Sequence, residues 1–433
     1  MFGYYLDLAL RSLKRNRMLT ALMVLAIALG IGASMTTLTV LHVLSGDPLP
    51  QRSGSLFYPQ IDPFSLDGYE PGRPPAEQVT WIDGMNLLHA ARADRQALMT
   101  GGAVPIQPTQ SAIDPFYTDA RYTTADFFAM FDVPFQYGHG WTAREDDAKA
   151  RVVVISKLLN DKLFGGKDST GQTLRMNDIG FQIVGVLGDW RVNPHFYDLN
   201  VGDYAEAEDV FLPLTTSRDG KLPLMGSTDC WGSGGDADHF ETAPCVWMQF
   251  WVQLNDPAKV ASYKEFLVHY SQEQKRLGRF EREPNVRLMN VMQWLDFKQV
   301  VPGDVRLQTW LALGFLLVCL VNTVGLMLSK FLRRAGELGV RRALGASKRD
   351  VFMQLLVESS MIGLAGGVGG LLLAYGGLWL VRRQPSSYAS LAHLDINMLM
   401  LTFMLAVLSA VCAGLLPAWR ACQIAPALQL KSQ

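Results

Sequence analysis

Cysteine is scarce, at five of 433 residues, and no two cysteines stand in a CxxC pair. That rules out the sequence pattern of a zinc ribbon or a dithiol redox centre. The chain also lacks GxSxG and HExxH strings and any close carboxylate–histidine constellation, so hydrolase and metalloprotease chemistry has no sequence support. His89, His139, His195, His239 and His269 are scattered and read as ordinary surface or core histidines. A nucleotide site is missing too. The nearest string, Gly165-Gly166-Lys167-Asp168-Ser169-Thr170, puts Asp168 where a P-loop needs Ser or Thr. Asp161 stands where that motif needs its first glycine, so the string reads as a turn after a helix. The acidic run Asp198 to Asp209 lacks EF-hand order and reads as a solvated loop.

Long apolar runs are present instead. Met18–Ser45, Trp310–Ser329, Ser359–Val381 and Ile396–Trp419 contain no formally charged residue. Each is long enough to cross a hydrocarbon core about 30 Å thick as a helix rising about 1.5 Å per residue. The first run is far longer than the 7–15-residue apolar core of a signal peptide, which favours an uncleaved anchor. Mean hydropathy is barely above zero, because the apolar residues are concentrated in these runs.

The net charge of −1 hides a segregation. Residues 46–308 carry a net −11, and the rest of the chain carries +10. Arg11, Lys14, Arg15 and Arg17 precede the first run, and Lys330, Arg333, Arg334, Arg341, Arg342, Lys348 and Arg349 lie between the second and third. The positive-inside rule places both basic segments in the cytoplasm and residues 46–308 outside. Arg382 and Arg383 oppose this, two residues against eleven.

The expected plan is a cytoplasmic amphipathic helix (1–17) and a first span (18–45), then the outer domain (46–308). A second span (309–332), a cytoplasmic segment (333–350) and a third span (351–381) follow. A short outer loop (382–394), a fourth span (395–419) and a cytoplasmic tail (420–433) complete it. The outer domain mixes strand and helix signals, an α+β pattern with two subdomains expected, the second centred on 190–245. Ser156 reads as the N-cap of a helix ended by Gly165. Gln172–Met176 and Phe181–Leu187 read as strands flanking an Asn177–Gly180 turn. Val246–Leu254 reads as a strand, Pro257–Arg276 as a helix and Pro284–Met289 as one more strand. Cys230 and Cys245 flank a Gly- and Asp-rich loop with little core of its own, on the side where disulfides persist, and are expected to pair. In the third span Gly363/Gly367 and Gly366/Gly370 have small-xxx-small spacing, which serves either packing within one chain or a contact between two chains.

The segment Phe331 to Gln354 is basic and punctuated by Gly336, Gly339 and Gly345. It reads as a compact helix-turn able to dock a partner, or as a plain positive anchor. Its string ELGVRRALGAS, Glu337 to Ser347, closely resembles the coupling segment of FtsX/MacB-type ABC transporter permeases. Gly414–Ala421 resembles that family's closing G-x-x-P-A-x-R-A, and the following P-x-x-A-L is only partly kept, since Gln429 replaces Ala. Val152–Asp189 resembles the MacB-like periplasmic core domain.

The resemblance implies an ATP-driven dimer in the bacterial inner membrane. Glu337, Gly339, Arg341, Arg342, Gly345 and Ser347 would form the docking surface for separate ABC ATPase subunits. ATP and Mg would be bound by those subunits, and this chain would bind no cofactor or metal and have no enzyme activity. Further implied partners are a second permease chain (identical or paralogous), membrane lipid, and, in MacB-like members, a periplasmic adaptor and an outer-membrane channel. No nucleic-acid partner is expected. The implied function is mechanotransmission for export of a peptide, lipopeptide, antibiotic or similar amphiphile. Two alternatives share the plan: lipoprotein release, and an FtsX-like scaffold for a cell-wall hydrolase, whose outer domain is usually much smaller.

Overall fold

A computed structural model describes residues 2–108, 113–232, 239–384, 391, 393–394 and 396–423. The chain forms two compact units. One holds residues 1–45 and 301–433, and the other holds residues 46–300.

In the first unit, helix Phe2–Arg15 precedes four long helices: Arg17–Ser45, Gly303–Leu332, Lys348–Val381 and Ile396–Gln423. These are the first to fourth spans, each long and apolar enough to cross a membrane. Their buried seam is built from Met23, Ile27, Ile31, Met35, Leu316, Met327, Leu355 and Ile362, among others. Large apolar side chains such as Leu317, Val321, Leu372 and Phe403 stay exposed around the bundle, as expected of a surface solvated by lipid.

Two helices start earlier than their apolar runs. Gly303–Leu332 begins with the polar turn around Asp304 and Arg306, and Lys348–Val381 begins directly after Ser347. Polar first turns extend a helix beyond its membrane-crossing length without cost to its backbone hydrogen bonds. Of the third span's glycines, Gly366, Gly367 and Gly370 face the chain's own helices, whereas Gly376 is exposed. A Cβ on Gly366 would come within 2.6 Å of Ile27, and one on Gly370 within 2.7 Å of Ile31, both on the first span. On Gly367 it would meet Ala406 of the fourth span at 2.5 Å. Gly363 is likewise buried. Such close approach is what small residues permit between membrane helices. The short outer loop lies mostly outside the described residues, as do the last ten residues, including Pro426–Leu430.

The second unit is built on strands β1 (Leu56–Gln60), β2 (Arg95–Ile106), β3 (Phe116–Thr123), β4 (Phe135–Gly138), β5 (Val152–Ile155), β6 (Thr173–Met176) and β7 (Ile179–Leu187), then β8 (Val210–Pro213), β9 (Leu224–Met225), β10 (Asp229–Cys230), β11 (Cys245–Val246), β12 (Gln249–Gln253) and β13 (Arg287–Asn290). Eleven of them form one mixed sheet, ordered β13-β1-β12-β2-β3-β8-β5-β7-β4, with β6 and β9 attached at its side. β3/β8 and β5/β7 run parallel, and the other pairs are antiparallel. One half of the sheet (β13, β1, β12, β2) comes from the two ends of the domain sequence, and the other half (β3, β8, β5, β7, β4) from its middle. The sheet is continuous where the halves meet, since β2 and β3 pair from Met99–Thr123 to Ile106–Phe116, and residues 46–300 form one unit. Residues 190–245 do not centre a subdomain: they supply β8 to the middle of the sheet, where its backbone pairs with β3 and β5.

Local chemistry sets the helices of this unit. Ser156 accepts a hydrogen bond from the Leu159 N–H at 3.0 Å, and Gly165 ends the helix Lys157–Phe164 in a left-handed conformation. Asp256 caps Pro257–Arg276, which turns Tyr263 and Leu267 into the core. β10 and β11 form a separate two-stranded ribbon, joined by a disulfide between Cys230 and Cys245.

Candidate docking and coupling site

The loop between the second and third spans folds as helix Ala335–Ala343 followed by a four-residue turn. Gly345 has φ +104, and nothing lies within 4 Å of the place a Cβ would take, so the backbone conformation, not space, requires glycine there. Ser347 then caps the third span in a capping box. Its backbone N–H donates to Asp350 Oδ2 at 3.2 Å, and its hydroxyl accepts from the Asp350 N–H at 3.2 Å.

The six residues expected to dock a partner do not present one continuous surface. Gly345 and Ser347 are exposed on the turn, and Glu337 is exposed on the first turn of the helix. Gly339 is buried, and Arg341 and Arg342 are half-buried. Glu337 accepts from Arg15 Nη1 at 2.5 Å, and Arg341 donates to Gln354 Oε1 at 3.0 Å. An ion pair thus joins the end of helix Phe2–Arg15 to the loop helix, while the helix itself packs on the third-span helix. A cavity of about 190 Å³ between them is lined by Arg11, Ser12, Arg15, Arg334, Glu337 and Arg341, with Leu8, Gln354 and Leu355.

Two residues of the loop stand out that the motif does not single out. Val340 is 49% exposed and Leu344 83% exposed. Their i, i+4 spacing puts them on one face. That spacing was the available signal, and the basic residues between them masked it. A second unanticipated feature is Glu358, which directly precedes the uncharged run of the third span and is 1% exposed. Lys330 Nζ lies 2.6 Å from its Oε1 and Arg334 Nη1 3.5 Å from its Oε2. Ser12 donates its hydroxyl hydrogen to the same carboxylate.

The inserted domain holds its own charged cluster. Arg121 of β3 is fully buried. It donates to Asp198 Oδ2 at 2.7 Å and, through Nε, to Glu208 Oε1 at 2.8 Å. Tyr197 donates to Glu208 Oε2 at 2.7 Å, and Gln249 donates to Asp198 Oδ1 at 3.0 Å. Burial pushes the Glu208 carboxyl up, but Arg121 and His195 outweigh it and hold it well below the usual carboxylate range. Burial likewise disfavours charge on Arg121, and Glu208 and Asp198 reverse that. The acidic run 198–209 is therefore no solvated loop. Its two ends turn inward because β3 carries a cation that needs neutralising.

The string Gly165–Thr170 is a helix end: Asp168 accepts from the Thr170 N–H at 3.0 Å, and both Gly165 and Gly166 have positive φ. Among the described residues, no group of three or more His, Cys, Asp or Glu side chains is placed to hold a metal ion.

Residues 20–268 match the family model described as the MacB-like periplasmic core domain, and residues 310–426 match the FtsX-like permease C-terminal model. The chain is 24% identical over 421 residues to the pyoverdine export ATP-binding/permease protein PvdT of Pseudomonas aeruginosa, covering 96% of this chain and 57% of that protein. It is 23% identical over 441 residues to the macrolide export ATP-binding/permease protein MacB of Wolinella succinogenes, covering 99% and 60%. Among solved structures, the periplasmic region of MacB from Actinobacillus actinomycetemcomitans is 13% identical, covers 59% of this chain and 96% of that one, and has a TM-score of 0.37. The chain thus spans under two thirds of the length of these curated relatives. With four membrane-spanning helices and a mixed α/β domain inserted after the first, it belongs to the MacB-like periplasmic core domain family and is an FtsX-like permease of the ABC transporter class.

Proposed function

We propose that this chain couples ATP hydrolysis by separate ABC ATPase subunits to movement of its inserted domain, for export of a peptide, lipopeptide, antibiotic or similar amphiphile. In this reading the permease works as a dimer in the bacterial inner membrane, with residues 46–300 in the periplasm and helix Ala335–Ala343 in the cytoplasm. The charge segregation supports the sidedness. The names of the relatives, a macrolide export protein and a pyoverdine export protein, support the export role.

The observation that carries the reading is the loop itself. A purely topogenic loop needs positive charge and no shape. This one is a short helix with a glycine-dependent turn, capped at Ser347, and it exposes Val340 and Leu344 as an apolar pair. Covering a leucine side chain stabilises an interface by about 1.5–3 kcal/mol, and a carboxylate at the same place would have to be desolvated without a partner. Leu344→Asp should therefore weaken co-purification of the ATPase from lipid at least tenfold, while membrane insertion is unchanged. Retention of ATPase at the parental level would reduce the loop to a topogenic anchor.

A further inference from the structure

An ionisable residue buried within membrane-spanning helices is expensive and calls for a reason. Glu358 and Lys330 are such a pair, on the third and second spans, and both are almost fully buried. Around them Ser12 brings in helix Phe2–Arg15, donating to Glu358 and accepting from Arg334 Nη1 at 2.5 Å. Arg334 immediately precedes the loop helix. One carboxylate thus joins three elements and the root of a fourth. Arg15, bonded to Glu337, ties the N-terminal helix to the loop helix a second time.

We propose that Glu358 is a positioning residue. It locks helix Phe2–Arg15, the end of the second span and the start of the third into one lever, so that a push on helix Ala335–Ala343 moves the third span instead of bending the loop. The consequence for transmission rests on the docking reading above, whereas the lock itself does not.

The physics favours a lock over a passive contact. In a low-dielectric site each member is held by the others, because releasing one leaves a buried charge without a partner. The charged members therefore separate together or not at all. Ser12 is the uncharged member, contributed by the N-terminal helix, so losing its hydroxyl loosens that helix at the cluster while the Lys330–Glu358 pair stays intact.

Three variants of the full chain in lipid test this: Ser12→Ala, Glu358→Gln, and Lys330→Met with Glu358→Gln. The single change at Glu358 strands Lys330 and can damage the fold. The double change removes both charges together, which is often near neutral for stability. The first readout is amide hydrogen exchange of residues 2–15 in the chain alone. The second is ATPase co-purification. The third is the ATP-dependent change in distance between spin labels at Ser45 and Leu380, on the first and third spans, in a chain otherwise free of reactive cysteine.

For Ser12→Ala and the double variant, exchange of residues 2–15 should rise at least tenfold. ATPase co-purification should stay within twofold of the parent, and the ATP-driven distance change should disappear. Parental exchange together with a parental distance change in both would overturn the proposal. If the parent itself retains no ATPase, the docking reading fails, and exchange alone decides the lock: protection of residues 2–15 unchanged in Ser12→Ala and the double variant sinks it.

Discussion

Arg121 shows how one side chain can organise a domain. It occupies an inward position of β3, and the segment 197–208 supplies its partners: Asp198 and Glu208 from the acidic run, and Tyr197, whose ring lies 5.2 Å from the guanidinium carbon. Removing it strands two buried carboxylates. Arg121→Met should destabilise the inserted domain by about 3–5 kcal/mol, measured as the shift in chemical unfolding of the purified chain followed by tryptophan fluorescence. The same cluster sets a pH dependence. Glu208 has a folded pKa depressed below its unfolded value, so its contribution is present above about pH 4.5 and is lost as pH falls. Asp146 has the opposite sign. Burial pushes it up to about 7, although it accepts hydrogen bonds from the Ala125 N–H and the Trp141 Nε1–H. Its contribution is present below about pH 4 and is lost as pH rises through 7. Stability should thus fall on the acid side in the parent and fall less in Glu208→Gln. On the neutral side, Asp146→Asn should flatten the slope between pH 4 and 7. At this scale the sequence was least legible. The acidic run, Lys330, Ser12 and Glu358 look like ordinary polar residues until the fold brings their partners within reach.

At the scale of elements the local signals were strong where the chemistry is local. Ser156 and Gly165 bound their helix as caps do, and Pro257–Arg276 is a helix over the span its N-terminal Asp-Pro pattern suggests. Asn177 and Asp178 take positive φ in the β6–β7 turn. The run 246–254 reads as one strand but divides. β11 pairs with β10 in the ribbon and β12 pairs with β2 in the main sheet, and no local pattern tells which neighbour a strand will find. The expected strand at Pro284 begins only at Arg287, because its partner β1 ends at Gln60, the residue opposite Arg287. Two predictions belong here. Loss of the bridge between Cys230 and Cys245, 15 residues apart, through Cys230→Ala with Cys245→Ala should cost the ribbon about 3 kcal/mol by loop-closure entropy. Proteolysis between β10 and β11 in the purified chain should then accelerate. Gly345→Val forces a β-branched residue to φ +104. It should weaken ATPase retention at least tenfold without lowering the amount of chain in the membrane, and equal retention would show that the turn relaxes.

At the scale of the whole molecule the charge pattern makes a prediction of its own. With an impermeant thiol reagent on intact cells, Asp219→Cys should label and Gly345→Cys should not. Labelling at Gly345 would reverse the orientation. The sequence by itself determined the four spans, the place of the inserted domain and the family, because each rests on composition or on short ordered strings such as ELGVRRALGAS. It also brought out Gly366, Gly367 and Gly370 of the third span as helix-packing residues, while leaving open which helices they face. Tertiary structure decided that they face the first and fourth spans, that Glu337 meets Arg15 of the N-terminal helix, and that Ser12, Lys330, Arg334 and Glu358 meet at one point. Each of these pairings joins residues far apart in the chain. Periodicity and capping act over one or two turns, whereas the partner of a buried charge is selected by which helices pack together.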